Sequence, residues 1–418
     1  MKITLIAGAR PNFMKVAPII KAIKKHNGEV INGDASLNDA NDRKISYRLV
    51  HTGQHYDKNM SDTFFEELGI PAPDVNLGCG GGSQAEQTAA IMVAFEKELM
   101  EHPTDIVLVV GDVTSTMACS IVAKKMNTKV CHVEAGIRSW DLTMPEEINR
   151  MVTDSLADYM FTTSDVANRN LVRMGAMLMN DGMSEAKPLN DGMMPEDKYA
   201  NQRVQQRVWH VGNVMIDTLL ANRARFRKPE VWDELGLKDK EFVVMTMHRP
   251  ANVDEENHLR AMMEQIIDNV HGMPVIFPIH PRTAKLLLGG RTASDLQDAS
   301  LQDASRMLQE RWPNLHIVEP MGYLEFNYLV ERAKAVVTDS GGITEETTVM
   351  GVPCITLRDN TERPETCTVG TNELIGTNPA AIKPALDKLF AGEWKKGAIP
   401  ELWDGHAAER IIAILADL

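Results

Sequence analysis

The sequence predicts an α/β protein built from two doubly wound domains. Three observations predict it. Short, continuous Val/Ile-rich runs alternate with helical patterns along the whole chain, the mark of parallel strands covered on both faces. The runs fall into two series, with a border near residues 210–225. Several runs end in glycines, cations or carboxylates, and open parallel sheets hold their ligands at that end.

The first series of predicted strands is Ile3–Ala7, Tyr47–His51, Ile106–Val110, Val130–Val133, Tyr159–Thr163 and Val208–Val211. The second is Phe242–Thr246, Val275–Ile279, His316–Val318, Ala335–Thr338 and Cys354–Leu357. They give Rossmann-like domains over residues 1–210 and 211–400. Residues 401–418 hold a helix, His406 to Asp417, expected to pack back on the first domain. Two such domains facing each other would place a site in the cleft between them. Asn32 to Ser46, Met177 to Gln202 and the tandem L-Q-D-A-S of Leu296 to Ser305 are polar additions, read as surface loops.

A length of 418 residues accommodates two or three domains, and 44% hydrophobic residues can fill their cores. Lys and Arg number 44 against 58 Asp and Glu, a net charge of −14. Nucleic acid is therefore not an expected partner, since its binding needs a clustered basic face. No apolar run reaches the ~20 residues of a membrane helix, and M-K-I-T-L-I-A-G reads as a buried strand rather than a signal peptide. Five cysteines without a C-x-x-C pair fit reduced thiols in a cytoplasmic protein. The expectation is no metal and no cofactor. His248 and His280 end different strands, and no H-x-x-x-H or H-x-E pattern accompanies them.

The most informative segment is T-D-S-G-G-I-T-E-E at Thr338 to Glu346, where a strand ends at Asp339 and a helix is predicted from Gly341. Ser340, Gly341 and Gly342 then present unpaired N–H groups and a helix dipole, which favour a phosphate. Glycines without Cβ let a diphosphate approach closely. The alternative is a tight turn capped by Ser340. Glu346 could accept two sugar or ribose hydroxyls. Arg363, in T-E-R-P, can bond oxygens bidentately. Phe326 belongs to the core or stacks on a base.

In the first half, Arg10 and Lys15 follow Gly8 at a helix start, as two cations facing a diphosphate or as surface charge. Asp112 and Glu134 end successive strands, and Glu146 begins a helix at Pro145. Carboxylates gathered at strand ends are candidates for proton transfer, and several in one site raise one another's pKa. Singly, Asp112 could cap a helix and Glu146 favour a helix dipole. His248 carries an imidazole, a group that can donate or accept a proton.

Ten motifs in order carry a resemblance. They are G-A-R-P-N-F-M-K at Gly8, H-T-G-Q-H-Y-D at His51, G-D-V-T-S-T at Gly111, H-V-E-A-G-I-R at His132 and P-E-E-I-N-R at Pro145. V-G-N at Val211, H-R-P at His248, H-P-R-T at His280, the Thr338 segment and R-D-N-T-E-R-P-E at Arg358 follow. From Met1 to about Leu418, apart from the polar additions, the chain resembles the non-hydrolysing UDP-N-acetylglucosamine 2-epimerase family. The resemblance implies the B-type glycosyltransferase architecture with a UDP-sugar in the interdomain cleft. It implies interconversion of UDP-N-acetylglucosamine and UDP-N-acetylmannosamine by loss of UDP to 2-acetamidoglucal and re-addition, and a homodimer. By motif, Asp112, Glu134, Glu146 and His248 match the catalytic set. Arg10, Lys15, Phe326, Ser340, Gly341, Gly342, Glu346 and Arg363 match positions that hold the nucleotide sugar. Met321 and Tyr56-Asp57 depart from common bacterial patterns, the latter arguing against a regulatory second site. Other readings are an enzyme for a modified UDP-sugar such as a 2,3-diacetamido uronic acid, a hydrolysing epimerase, a glycosyltransferase of the same fold and a silent UDP-sugar binder.

Overall fold

Alternating Val/Ile runs build two all-parallel sheets. The structure, a computed structural model, describes residues 1–32, 44–53, 67–179, 206–253, 255–279 and 308–418. The chain divides into two units, Met1–Ala221 with Glu401–Leu418, and Asn222–Pro400.

The described strands of the first unit are β1 Lys2–Ala7, β2 Ser46–His51, β3 Val75–Asn76, β4 Ile106–Val110, β5 Lys129–Val133, β6 Tyr159–Thr162, β7 Met177–Leu178 and β8 Arg207–His210. They pair in the order β3-β2-β1-β4-β5-β6-β8-β7, each pair parallel. Helices between them cover both faces, and β4 is buried along its whole length, as a run of five apolar residues requires. The helix Ala407–Ala416 belongs to this unit and packs on the helix Arg10–Asn32. Its N-terminus is capped by Asp217, whose carboxylate accepts the Ala407 and Ala408 N–H groups at 3.1 and 2.7 Å. Burial pushes the Asp217 carboxyl up to about 6, against those two hydrogen bonds.

The second unit contains β9 Val243–Thr246, β10 Val275–Pro278, β11 Leu315–Val318, β12 Ala335–Thr338, β13 Cys354–Thr356 and β14 Asn372–Leu374, paired in parallel in the order β11-β10-β9-β12-β13-β14. The period-two alternation of a strand sorts its residues into two cores. Val243, Met245, Val275, Phe277 and Val337 enter one cluster. Phe242, Val244, Ile276 and Val336 enter the other.

In each sheet the strand order turns back beside its first strand, between β1 and β4 and between β9 and β12. Ligands of doubly wound folds bind at that switch point. The turns that matter therefore follow β1, β4 and β5 in one unit and β9 and β12 in the other. Among the described residues, no helix is long and apolar enough to cross a membrane. Most of the three polar additions, Gln54 to Asp57, and His280 with Pro281 and Arg282 lie outside the described residues.

Candidate functional site

The turn after β4 is held carbonyl by carbonyl. Gly111 turns the chain with φ 72°, a conformation that suits glycine. Three successive carbonyl oxygens accept from three different elements. Asn12 Nδ2 donates to Val110 at 2.9 Å, the His132 ring Nε2 meets Gly111 at 2.8 Å, and Asn149 Nδ2 donates to Asp112 at 2.9 Å. The Asp112 carboxylate is thereby fixed in place. Arg150 grips its Oδ2 through Nε at 3.0 Å and Nη2 at 2.5 Å. The other arm of Arg150, Nη1, meets Glu147 Oε2 at 2.6 Å. Glu147 also accepts from the Ser139 and Trp140 N–H groups and the Ser139 hydroxyl. The guanidinium is almost fully buried, and two carboxylates compensate its charge.

Glu134 follows β5 with φ 68° and is buried. A non-glycine residue in that region is held there by its surroundings, commonly at functional sites. Lys15 Nζ lies 2.6 Å from its Oε2. A Cβ built on Gly111 would lie 3.1 Å from Lys15 Nζ and 3.6 Å from Glu134 Oε2. The structure thus brings Lys15, Gly111 with Asp112, and Glu134 together. Glu146 is exposed in the first turn of the helix Pro145–Leu156, and its neighbour Glu147 enters the buried web. Arg10 is the first residue of its helix.

In the second unit, His248 follows β9 with its side chain 63% exposed, and its Nδ1 lies 2.8 Å from Asp339 Oδ1. Asp339 also accepts from the His248 and Arg249 N–H groups and from Asn252 Nδ2. Burial acts to raise the Asp339 pKa, but the His248 ring and these N–H donors outweigh it and hold the carboxyl below its ordinary range.

The helix Gly341–Met350 begins at Ser340, whose side chain does not cap it. Its first-turn donors lie beside two glycines, and a Cβ on Gly341 would sit 3.0 Å from Glu362 Oε1. Glu362 pairs with the buried Arg358 at 2.6 Å. Glu346 is buried and accepts from the Tyr323 hydroxyl at 2.8 Å. Burial pushes its carboxyl up to about 7, with Glu345 adding to the rise and the Tyr323 bond opposing it. Arg363 is buried and pairs with Glu345 through Nε. Phe326 packs, half-buried, on the cluster around Val244 and Val336.

Sequence reasoning missed Asp339, Arg150, Glu147, Glu345, Asp154 and the role of His132. Two signals were present. Glu147 and Arg150 stand three apart on one helix, and Asp339 directly precedes Ser340 at the end of β12.

The family model described as UDP-N-acetylglucosamine 2-epimerase matches residues 38–416. A protein of Methanocaldococcus jannaschii named UDP-N-acetylglucosamine 2-epimerase is 36% identical over 422 residues, covering 99% of each chain. A protein of Pseudomonas aeruginosa named UDP-2,3-diacetamido-2,3-dideoxy-D-glucuronate 2-epimerase is 34% identical over 421 residues, covering 100% of each. The crystal structure of the Methanocaldococcus jannaschii UDP-GlcNAc 2-epimerase in complex with UDP-GlcNAc and UDP superposes with a TM-score of 0.76, at 35% identity and full coverage of both chains. The fold class expected from the sequence, two Rossmann-like domains of the B-type glycosyltransferase kind, is the one found.

Proposed function

This chain belongs to the UDP-N-acetylglucosamine 2-epimerase family, a family of isomerases, and from that premise we propose that it interconverts UDP-N-acetylglucosamine and UDP-N-acetylmannosamine. A base removes the proton at C2 while the C1–O bond to UDP breaks, giving 2-acetamidoglucal. Protonation of the opposite face and re-addition of UDP complete the inversion. The chemistry asks for no nicotinamide and no metal.

The observation that carries the reading is the pairing of two carboxylates with cations at adjacent strand ends, Asp112 with Arg150 and Glu134 with Lys15. A sugar C2–H is a very weak acid, so its removal is coupled to departure of a stabilised diphosphate. We assign proton transfer to Asp112, Glu134, Glu146 and His248. Arg10, Lys15, Ser340, Gly341, Gly342 and Arg363 hold the diphosphate, Glu346 the ribose and Phe326 the base. In this reading Lys15 serves the diphosphate while it pairs with Glu134. Retaining glucal and UDP together favours re-addition over loss. The protein is proposed to be a cytoplasmic homodimer.

The test is proton NMR of the purified protein with UDP-N-acetylglucosamine, following the anomeric signals. Appearance of UDP-N-acetylmannosamine to a stable ratio supports the reading. Turnover confined to the diacetamido uronate nucleotide would transfer the same chemistry to that substrate. Net release of free sugar would make the enzyme a hydrolase.

A further inference from the structure

His132 opens the H-V-E-A-G-I-R motif, and the mechanism above leaves it without a task. Its ring is fully buried between two acceptors. Nδ1 lies 2.6 Å from Asp154 Oδ1, and Nε2 lies 2.8 Å from the carbonyl oxygen of Gly111. A carbonyl oxygen only accepts, so Nε2 carries a proton. The second proton lies between Asp154 and Nδ1. Asp154 Oδ2 already accepts from the Gly136 N–H at 3.1 Å and faces Arg138 Nη2 at 2.6 Å. Burial acts to raise the Asp154 pKa, but the His132 and Arg138 charges outweigh it and hold the carboxyl below its ordinary range. The Arg138 cation and the Gly136 N–H on Asp154 Oδ2 favour the charged carboxylate, so the proton resides on the ring.

We propose that His132 is a buried imidazolium that ties the turn carrying Asp112 to the turn carrying Glu134. One N–H holds the Gly111 carbonyl, one residue before Asp112. The other holds Asp154, which in turn grips Gly136, two residues after Glu134. His132 is thus a positioning residue for both carboxylates, and this rests on the proton-transfer role assigned to them above. Two cations facing one carboxylate leave net positive charge in the cluster. The ring donates from two separate nitrogens, whereas a glutamine in its place carries both donors on one nitrogen.

The experiment uses ring-¹⁵N-histidine protein without ligand at neutral pH, the His132 signals being those absent from His132→Gln. Two protonated, slowly exchanging ring nitrogens are expected, and a single protonated nitrogen would overturn the proposal. In parallel, His132→Gln is expected to lower kcat by at least ~10-fold, because small misplacements of reacting groups are costly. KM for UDP-N-acetylglucosamine is expected to change less than kcat, since in this reading Lys15 alone among the nucleotide-holding residues pairs with a carboxylate that His132 positions. Unchanged kcat in a folded His132→Gln protein would also overturn it. If that variant fails to fold, the spectrum is assigned from Asp154→Asn, in which His132 alone is expected to lose its Nδ1 proton. An inactive wild type would remove the functional reading, and the nitrogen spectrum would then decide the tie alone.

Discussion

Asp339 holds His248 at two places, the ring Nδ1 at 2.8 Å and the backbone N–H at 3.0 Å. One buried carboxylate thereby sets both the position of the loop and the direction of the ring. An ionised Asp339 accepts the Nδ1 proton and leaves Nε2 as the atom that exchanges protons with a substrate. Asp339→Asn is expected to lower kcat by about 10²–10⁴-fold, the scale on which loss of an orienting aspartate acts in a Ser-His-Asp triad. UDP affinity by calorimetry should change little. His248→Ala should abolish product while leaving the thermal melt nearly unchanged.

Arg150 is the common partner of Asp112 and Glu147. Arg150→Met should leave the buried Glu147 charge uncompensated, costing about 3–5 kcal/mol of stability. Arg150→Lys restores a charge but cannot meet both carboxylates in fork geometry. Turnover of the Lys variant should therefore stay at least ~10-fold below wild type even where its melting temperature recovers. Equal turnover would separate Asp112 from its Arg150 clamp.

Glu346 gives a pH signature of defined sign. Its folded pKa is about 7, above the ~4.3 of an unfolded glutamate. The folded state therefore binds this proton more tightly. The associated stability is full below about pH 4 and is lost as pH rises through about 7, by on the order of 3 kcal/mol. Asp339 has the opposite sign: its depressed pKa gives stability that is present above an unfolded value of ~3.9 and lost in acid. Melts of wild type and Glu346→Gln, without nucleotide, should converge at pH 5 and diverge at pH 8 in favour of the glutamine. Parallel curves would contradict this.

Gly341 stands where an added Cβ would meet Glu362 Oε1 at 3.0 Å. Gly341→Ala should weaken UDP binding by about tenfold, near 1.4 kcal/mol, by blocking the approach of phosphate to the helix start. Glu362, held by the buried Arg358, must shift to admit the methyl, so a modest fall in melting temperature with the fold retained is expected. A calorimetric Kd equal to wild type would remove this turn from the nucleotide site.

The strands longer than three residues were legible because each holds a short apolar run, even where Arg48 interrupts β2, His132 β5 and His316 β11. Val75–Asn76 and Met177–Leu178, at two residues each, are too short to show any period, and Asn372–Leu374 contains two polar residues. The carboxylates at strand ends were legible in the same way, since Asp112 and Glu134 follow the apolar runs of β4 and β5. Their partners were not. Whether Glu146 or Glu147 turns inward depends on helical phase, which the adjacent pair leaves undecided. The Asp339–His248 and His132–Asp154 contacts join residues 91 and 22 positions apart, and only the packed sheets bring them together.

The central claim is that a proton leaves C2 of the sugar and returns from solvent. UDP-N-acetylglucosamine incubated with the protein in heavy water tests it most directly. The account predicts deuterium at C2 of both epimers, at a rate lost in Asp112→Asn. Epimerisation with full retention of hydrogen at C2 would contradict it.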